Sequence, residues 1–503
     1  MLTTLQKAVG SILDGSLLAC GGFQINRAPM ALAQELVRQG RRDLRVVSLP
    51  NPLPLEALFA GGAVAEAEFG FLGLQFEDGF FMAPRVKKAI ETGTLTWRER
   101  DVYEIVQGLR AAAQGVPLLP APGMEGSDYA RVNRTASIED PATGETMPVA
   151  HAIRPDVTLL HAQAADRKGN LRIDDPYADD LLARASLRVI ATAETIVDRL
   201  DNPTIPHTLV EAVVEAPGGA LPTSCHGVYA HAAAGLRERM VAAPEAAAAL
   251  AGRAAAAGTV ALADREGVAD RLLVEMARSI ADGDVVASGV ASALPMLAIA
   301  LARATHAPRL TYLNCVGAVN PEIREAAASS VDPRLLDRCE GRVTLPDLFD
   351  LAHQGRIDLM FFGAAQVDSE GRANSTCIGD YARPRVKLPG PAGSSSMRSF
   401  LKKAVFVLPR HSPRSLPERA DFATSVPSSR NRTTTILTDL ARFDLRDGRL
   451  AVASRRRRVT HADLRAATGF GIDGEGDTAR PPTDEERRAI ERLDPTGIRH
   501  RLI

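Results

Sequence analysis

The stretch that decides the fold is Asp14-Gly15-Ser16-Leu17-Leu18-Ala19-Cys20-Gly21-Gly22, and it has a counterpart in Asp282-Gly283-Asp284-Val285-Val286-Ala287-Ser288-Gly289. Each begins with an Asp-Gly turn, continues into a short apolar run of strand length and ends in a glycine loop. A proline follows each loop, Pro29 in one and Pro295 in the other, where it can start a helix. Both stretches therefore predict a βα unit, in which ligands bind at the carboxyl end of the strand.

A second pair of turns lies later in each half of the chain. Asp166-Arg167-Lys168-Gly169-Asn170 and Asp368-Ser369-Glu370-Gly371-Arg372 each follow an apolar run that begins with an aspartate. In such an Asp-x-x-Gly turn, glycine supplies the positive φ that other residues disfavour. Because both pairs of motifs occur in the same order, they favour an internal duplication over chance similarity.

The duplication predicts the fold class and the domains. We expect an α/β protein with two homologous open α/β lobes that are related by a pseudo-twofold axis, with the functional site where they meet. Residues 241–267 are rich in alanine, the strongest helix former, and predict a helical connector. The predicted domains are then residues 1–240 and residues 268–503.

The composition excludes several classes of partner. The chain has 503 residues, with 60 Lys and Arg against 61 Asp and Glu and a formal net charge of -1. Nucleic acid and anionic membrane surfaces attract a clustered basic excess, so neither is expected as a partner. A long uncharged run, residues 285–302, contains Gly289 and Pro295 and predicts a buried strand, turn and helix rather than a membrane span. We therefore expect a soluble protein.

The cysteines and histidines give no clear metal site. The five cysteines are far apart and form no Cys-x-x-Cys pair, which argues against disulfides and a zinc ribbon and suits a cytoplasmic location. Cys225-His226 with His231 is a local cluster, but without a second pair an ordinary loop is favoured, and no metal is predicted. The run Arg455-Arg456-Arg457-Arg458 is interpreted as a solvated strand edge or turn rather than a phosphate site.

Two loops of small residues offer backbone donors to a ligand. Gly21-Gly22 lies between a predicted strand and a predicted helix, where backbone N–H groups can approach a ligand oxygen. The same pattern is equally typical of a tight βα turn. Gly390-Pro391-Ala392-Gly393-Ser394 is a similar loop in the second half. If two such loops converge, they can form an oxyanion hole.

These motifs, in this order, resemble those of the family I coenzyme A transferases, with the α and β subunits fused into one chain. Gly21-Gly22-Phe23 through Pro29 resembles the α-type signature, and Pro217-Gly218-Gly219-Ala220-Leu221-Pro222-Thr223-Ser224 resembles the motif that closes the α half. The two Asp-x-x-Gly turns and the loop at Gly390 resemble features of the α and β halves. The resemblance extends over nearly the whole chain.

The resemblance implies an acyl-CoA substrate, with coenzyme A as part of the substrate and no covalently bound cofactor. It also implies that residues of the glycine loops bind CoA or stabilise an oxyanion. These residues are Gly21, Gly22, Phe23, Arg27, Gly317, Gly390, Gly393 and Ser394. It leaves open whether the chain forms a homodimer.

Within the family, the chain most resembles the ring-opening hydrolases of steroid catabolism, which cleave a carbon–carbon bond of a cyclic β-dicarbonyl CoA ester. The string Asp174-Asp175-Pro176-Tyr177-Ala178-Asp179-Asp180 carries this resemblance. In that branch a carboxylate of the α half is the general base. The matching glutamate position is Val102 here, so the candidates for the base are Glu99, Asp101 and Glu104, with a solvated charged turn as the alternative.

One departure from the transferases concerns the nucleophile. Transferases carry a glutamate that attacks the acyl-CoA, and alignment of the glycines in Asn314-Cys315-Val316-Gly317-Ala318 places Cys315 at that position. As a thiolate, Cys315 could accept an acyl group. As a neutral thiol it would only line the pocket, and this second interpretation is favoured because lone cysteines are usually buried apolar residues.

We therefore expect an enzyme that cleaves an acyl-CoA at a carbon–carbon bond, by hydrolysis or retro-Claisen chemistry. The first alternative is CoA transfer between an acyl-CoA and a carboxylic acid. The second is a non-catalytic protein that binds CoA or a metabolite, since a fold does not determine an activity.

Overall fold

The structure is a computed structural model that describes residues 2–77, 79–175, 177–240, 265–327 and 329–503. Most of the predicted connector, residues 241–264, lies outside the described residues. Its last three residues belong to the helix Arg265–Arg278, the first described helix of the second lobe. The predicted domain boundaries stay a prediction.

The first lobe is built around a largely parallel sheet in the order β13-β12-β10-β1-β2-β3-β6, with β11 antiparallel to β10. Two small sheets, β4-β5 and β7-β9-β8, extend it. The strands are β1 (Leu17–Cys20), β2 (Leu44–Ser48), β3 (Val64–Phe69), β4 (Gly73–Phe76), β5 (Gly79–Met82), β6 (Thr96–Glu99), β7 (Leu118–Pro120), β8 (Ser137–Glu139), β9 (Thr146–His151), β10 (Val157–Asp166), β11 (Leu171–Arg172), β12 (Arg188–Val197) and β13 (Val210–Glu215).

The second lobe has a mixed sheet in the order β17-β16-β15-β14-β18-β23-β24-β25-β26-β27 and two short hairpins, β19-β20 and β21-β22. The strands are β14 (Val285–Ser288), β15 (Thr311–Asn314), β16 (Ala318–Val319), β17 (Gly341–Arg342), β18 (Leu359–Gly363), β19 (Gln366–Val367), β20 (Ala373–Asn374), β21 (Cys377–Ile378), β22 (Val386–Lys387), β23 (Lys403–Leu408), β24 (Thr433–Thr438), β25 (Ala441–Arg446), β26 (Arg449–Arg455) and β27 (Asp477–Thr478).

Helices cover the faces of both sheets. The described α-helices are α1 (Leu5–Gly10), α2 (Met30–Arg38), α3 (Pro52–Ala60), α4 (Pro84–Thr92), α5 (Val102–Gln114), α6 (Asp128–Val132), α7 (Asp179–Ala185), α8 (Ala233–Met240), α9 (Arg265–Arg278), α10 (Ala293–Thr305), α11 (Leu345–His353), α12 (Ser394–Phe400), α13 (His461–Ala467) and α14 (Asp484–Leu493). Short 3-10 turns lie at His207–Leu209, Pro333–Leu336 and Ile498–Arg501. No described helix combines the length and the apolar character needed to cross a membrane.

The two lobes repeat the same parallel core. In the first, β1 lies between β10 and β2, and β12 follows on the far side of β10. In the second, β14 lies between β18 and β15, and β23 follows on the far side of β18. Gly21 follows β1 and Gly289 follows β14, so both glycines occupy the same βα turn. The prediction of two homologous α/β lobes is confirmed.

The two Asp-x-x-Gly turns repeat in atomic detail. Asp166 Oδ1 accepts hydrogen bonds from the amides of Lys168 and Asn170, at 2.9 and 3.0 Å. Asp368 Oδ1 accepts the equivalent bonds from Glu370 and Arg372, at 3.1 and 2.9 Å. The glycine amide closes each turn on the aspartate carbonyl oxygen. Because each carboxylate binds the amides two and four residues later, it fixes a tight turn at the same place in both lobes.

Candidate functional site

A cavity of about 470 Å³ lies between the lobes. The first lobe contributes Phe23, Phe71 and Gln75 to its wall, while the second contributes the loop after β14 and residues 389–394. The cavity therefore opens at the carboxyl end of β14, where ligands bind in open α/β sheets. Of the predicted site residues, Phe23, Cys315, Gly390, Gly393 and Ser394 line it.

The loop of residues 390–394 is held in place by backbone bonds from the other lobe. The Ala392 amide donates to Gly70 O at 2.9 Å, and the Val102 amide donates to Ala392 O at 2.6 Å. Beside the loop, the Leu72 amide donates to Pro389 O at 2.8 Å. Three bonds of this kind order a loop that would otherwise be free to move. Part of the cavity wall thus exists only where the two lobes meet.

Asp101 is the polar clamp between the lobes. Its Oδ1 accepts from the Tyr103 amide of α5 at 2.9 Å and from Ser396 Oγ at 2.7 Å. Its Oδ2 accepts from the amides of Ser395 and Ser396, at 3.1 and 3.2 Å, in the first turn of α12. One buried carboxylate thus caps a helix in each lobe. Burial raises the pKa of Asp101 to about 6.

Glu99 forms a buried ion pair directly behind the cavity wall. Lys387 Nζ donates to Glu99 Oε1 at 2.6 Å, and the Tyr129 hydroxyl donates to Oε2 at 2.7 Å. Burial is the main cause that raises the pKa of Glu99, and the Lys387 ammonium opposes it. A Cβ placed on Gly390 would lie 2.6 Å from Glu99 Oε1, so the missing side chain of Gly390 makes room for the carboxylate.

Glu104 lies on α5 and pairs with the guanidinium of Arg100, which also reaches Glu68. Burial raises the pKa of Glu104. Neither Glu99, Asp101 nor Glu104 lines the cavity, whereas Val102 does. The alternative that these three carboxylates form a solvated charged turn is wrong, because all are buried. Because none of the three faces the cavity, water would have to reach one of them behind the wall for it to act as the predicted base.

Cys315 lines the cavity as a neutral thiol. Its Sγ lies 3.9 Å from Ser330 O, and burial raises its pKa to about 12. A thiolate nucleophile needs a cation or a helix N-terminus to lower its pKa. The structure argues for the interpretation in which Cys315 is part of the pocket wall. Gly317 lies apart from the cavity lining in a tight turn, where a Cβ would come within 2.3 Å of Val343 O.

The first glycine loop is closed to ligands. The Gly21 amide donates to Leu159 O at 2.9 Å, and the Gly22 amide donates to Asp179 Oδ1 at 3.0 Å. Because both amides already have internal partners, the structure argues against the oxyanion role predicted for them. Phe23 is the part of this loop that reaches the cavity, and its ring stacks on Tyr177 at 5.1 Å.

Arg27 holds that loop together rather than binding CoA. Its guanidinium is fully buried and donates to Asp175 and Asp179, with 2.7 Å for the shortest bond to each. It also donates to His161 O at 2.6 Å. Burial lowers the pKa of Arg27, but the two carboxylates outweigh this effect and hold it well above the ordinary value. With no exposed surface, Arg27 cannot meet a phosphate, so the structure corrects the prediction that it contacts CoA.

Gln75 is a further polar residue of the cavity, in addition to the predicted site residues. It lies on the hairpin strand β4 and lines the cavity, and its Oε1 is buried with no partner among the described residues. A side-chain amide of this kind can donate to a ligand oxygen and accept from a ligand or water. A single glutamine in a hairpin has no motif around it that would have indicated this role.

The loop after β14 offers further donors. Gly289, Val290 and Ala291 line the cavity, and among the described residues none accepts a hydrogen bond from their amides. The Gly393 amide likewise has no acceptor in the described chain. The site therefore presents neutral donors, from backbone amides and from Gln75, to a carbonyl oxygen or an oxyanion.

A separate buried cluster has the chemistry of metal ligands. His161, Glu194 and Cys225 place one ligand atom each within 4.8 Å of one another. In the structure His161 Nε2 bonds Glu194 Oε1 at 2.7 Å, while Tyr229 and the Gly218 amide donate to the same carboxylate. The neighbouring His226 and His231 pair instead with Asp337 and Glu77. These internal bonds satisfy the cluster as a hydrogen-bond network.

A family model described as coenzyme A transferase matches residues 2–216 and 271–452, which covers both lobes. One chain of a 3-oxoadipate CoA-transferase from Pseudomonas knackmussii is 34% identical over 45% of this chain and 83% of its own length. One chain of a cholesterol ring-cleaving hydrolase, IpdA from Rhodococcus jostii, is 34% identical over 43% of this chain and 78% of its own length.

Two solved structures are also similar. The acyl-CoA transferase YdiF from Escherichia coli O157:H7 superposes with a TM-score of 0.72 over 95% of both chains at 18% identity, which shows a shared fold. A chain of the decarboxylase AibA/AibB is 41% identical over 47% of this chain and 98% of that chain, with a TM-score of 0.45.

Proposed function

Because this chain belongs to the coenzyme A transferase family, we propose that it is an enzyme that binds an acyl-CoA between its lobes and cleaves a carbon–carbon bond of the acyl group with water. The observation that carries this proposal is the cavity wall, where Cys315 is a neutral thiol and no lining side chain of the described residues is a carboxylate. Transfer through a glutamyl thioester requires a carboxylate in contact with the thioester carbonyl.

The proposed reaction is a hydrolytic retro-Claisen cleavage of a cyclic β-keto acyl-CoA. Water loses a proton and adds to the ring carbonyl, and the electron pair of the adjacent carbon–carbon bond moves toward the thioester to form its enolate. Protonation of the enolate carbon then gives an open-chain acyl-CoA with a new carboxylic acid. The Gln75 side-chain amide and the backbone amides of Gly289 and Gly393 are the donors that would hold the developing oxyanions.

The base is assigned to Glu99, which sits directly behind Gly390. Asp101 has all its lone pairs directed at helix amides and Ser396, and Glu104 is held by Arg100. Glu99 is itself paired with Lys387, but only Gly390 separates its Oε1 from the cavity, and this position favours it. Its raised pKa would favour proton uptake from water that reaches this wall.

The base is tested with variants that keep the buried charges balanced. Glu99→Gln alone would leave the Lys387 ammonium buried without its partner, so the double variant Glu99→Gln with Lys387→Met is the informative protein. If Glu99 is the base, this variant folds and still binds acyl-CoA while its turnover falls by about 100-fold or more. A folded double variant with turnover near that of the wild type would rule out Glu99.

The reaction itself is tested with a panel of cyclic β-keto acyl-CoA esters, with and without a free carboxylic acid as acceptor, and mass spectrometry of the products. We expect the acyl-CoA to gain one water and keep its CoA. CoA that moves onto the added acid would instead establish transfer, which the 34% identity to a CoA-transferase chain supports as the second candidate. Binding without any turnover would indicate a non-catalytic binder, and loss of carbon dioxide would indicate decarboxylation.

A further inference from the structure

The wall of the cavity carries no charge. Among the described residues, its lining consists of aromatic and aliphatic side chains, small residues, one glutamine, one cysteine and a few serines, with no lysine, arginine, histidine or acidic residue. Large apolar side chains come from both lobes, with Phe71 and Phe80 on one side and Phe349, Met360 and Met397 on the other. A site of this size and composition encloses an apolar ligand and orients it with a few polar groups.

Three buried or half-buried cations of the surrounding elements, Lys387, Arg398 and Arg110, already have partners. Lys387 directs its ammonium to Glu99 and to the carbonyls of Thr376 and Leu388. Arg398 follows the lining residue Met397, but its guanidinium is buried and donates to the carbonyl oxygens of Gly371 and Ser425. Arg110 makes a bidentate pair with Asp350, at 2.7 and 2.6 Å. To reach a ligand in the cavity, each would have to leave a carboxylate or carbonyl partner.

A carboxylate in such a cavity would lose its hydration and gain no counter-ion. Burial of an isolated ionised carboxylate in an apolar site is strongly unfavourable, whereas a keto oxygen needs only one neutral donor. Gln75 and the unpartnered amides of Gly289 and Gly393 supply neutral donors at the wall. The site can therefore satisfy carbonyl oxygens along a hydrocarbon skeleton more readily than a second, distal charge.

We propose that the acyl group enclosed by the lobes is an uncharged ring or branched hydrocarbon that carries keto oxygens, and that the cavity selects against acyl groups with a distal carboxylate. This inference rests on the proposed function, because it takes the ligand to be an acyl-CoA. It would separate the chain from the similar transferase named for 3-oxoadipate, a dicarboxylic acid.

The test uses two ligands that differ in charge and almost nothing else. One is cyclohexanecarboxyl-CoA with a carboxymethyl group on the ring carbon opposite the thioester, and the other is its methyl ester. Neither has a β-keto group, so neither can undergo the cleavage, and affinity is measured by titration calorimetry without turnover. We expect the carboxylate to bind about 100-fold more weakly than the ester, because its charge has no partner at the wall.

Variants that fill the cavity show whether the ester binds there. Val290→Trp places a large ring in the cavity and should abolish binding of the ester, while Leu187→Trp, at a position 63% exposed in the first lobe, should leave it unchanged. If Val290→Trp fails to fold, Ala364→Phe fills the same cavity.

Equal affinity for the two ligands, lost together in Val290→Trp, would overturn the inference and leave the proposed function intact, with the carboxylate held by the amides of the loop after β14. Ester binding that survives Val290→Trp would overturn the inference because the ligand sits elsewhere. Failure of the protein to bind either ligand or any β-keto acyl-CoA would contradict the proposed function itself.

Discussion

The loops after β1 and after β14 occupy the same place in the two lobes but are used differently. After β1, the amides of Gly21 and Gly22 are bonded internally, and Arg27 forms buried ion pairs with Asp175 and Asp179. After β14, the amides of Gly289 to Ala291 lack partners in the described chain and line the cavity. A duplicated glycine loop can thus be closed by internal hydrogen bonds in one copy and leave its amides free for a ligand in the other.

The largest effect should come from Arg27, at the centre of the closed loop. Arg27→Met leaves Asp175 and Asp179 buried without their cation, and we expect the free energy of unfolding to fall by about 3–5 kcal/mol. Chemical denaturation measures the change. The control is Arg38→Met: this side chain is 62% exposed beside Glu35, so its loss should change the stability far less. Equal losses in the two variants would show that the closed loop is not braced by charge.

One glycine substitution in each loop compares the two loops. Gly22 has a φ of +77°, and a Cβ there would lie 2.4 Å from Arg27 O, so Gly22→Ala should destabilise the fold by about 3–4 kcal/mol. At Gly289 the nearest atom would be Met360 Cε at 3.2 Å, the end of a flexible side chain. Gly289→Ala should therefore cost less than about 1 kcal/mol yet weaken acyl-CoA binding.

Thermal unfolding and acyl-CoA titration of the two proteins provide the measurement. Equal stability of Gly22→Ala and Gly289→Ala would contradict the prediction that the loop after β1 is closely packed and the loop after β14 is not.

The next effect concerns Asp101, whose carboxylate accepts hydrogen bonds from the first turn of α12 in the second lobe. Burial raises its pKa from an ordinary value of 3.8 to about 6, so the folded protein holds this proton more tightly than the unfolded chain. The resulting stabilisation is present below about pH 4 and is lost as the pH rises through about 6, by about 2–3 kcal/mol.

The difference in unfolding free energy between wild type and Asp101→Asn should therefore shrink or change sign across this window, because asparagine does not titrate. Urea denaturation of both proteins at several pH values measures it. A difference that stays constant from about pH 4 to about pH 7 would contradict the raised pKa of this carboxyl.

The smallest effect should come from Cys315, which lines the cavity. Because its pKa of about 12 keeps it a thiol, Cys315→Ala should retain turnover within about tenfold of the wild type. Cys315→Glu should not by itself create CoA transfer if the acceptor pocket has diverged. An acyl group trapped on Cys315 by intact-protein mass spectrometry, with an inactive Cys315→Ala enzyme, would instead establish a covalent mechanism.

Local patterns were enough to predict the fold, because each βα unit and each Asp-x-x-Gly turn is formed by a continuous stretch of sequence. The Thr344–Asp347 and Thr483–Glu486 capping boxes are local in the same way. The roles of site residues depended on distant partners. Arg27 binds Asp175 and Asp179, 148 and 152 residues away, and Asp101 binds Ser395, 294 residues away. No spacing rule reaches that far, so a buried brace could not be told from a ligand contact.

The hydrogen bonds that complete the loop of residues 390–394 have a consequence for stoichiometry. Two relatives are named as the separate subunits A and B of a 3-oxoadipate CoA-transferase, so their halves are different molecules. Here both halves belong to one chain, so their encounter is intramolecular and their effective concentration does not fall when the protein is diluted. Each polypeptide therefore carries both parts of the cavity wall.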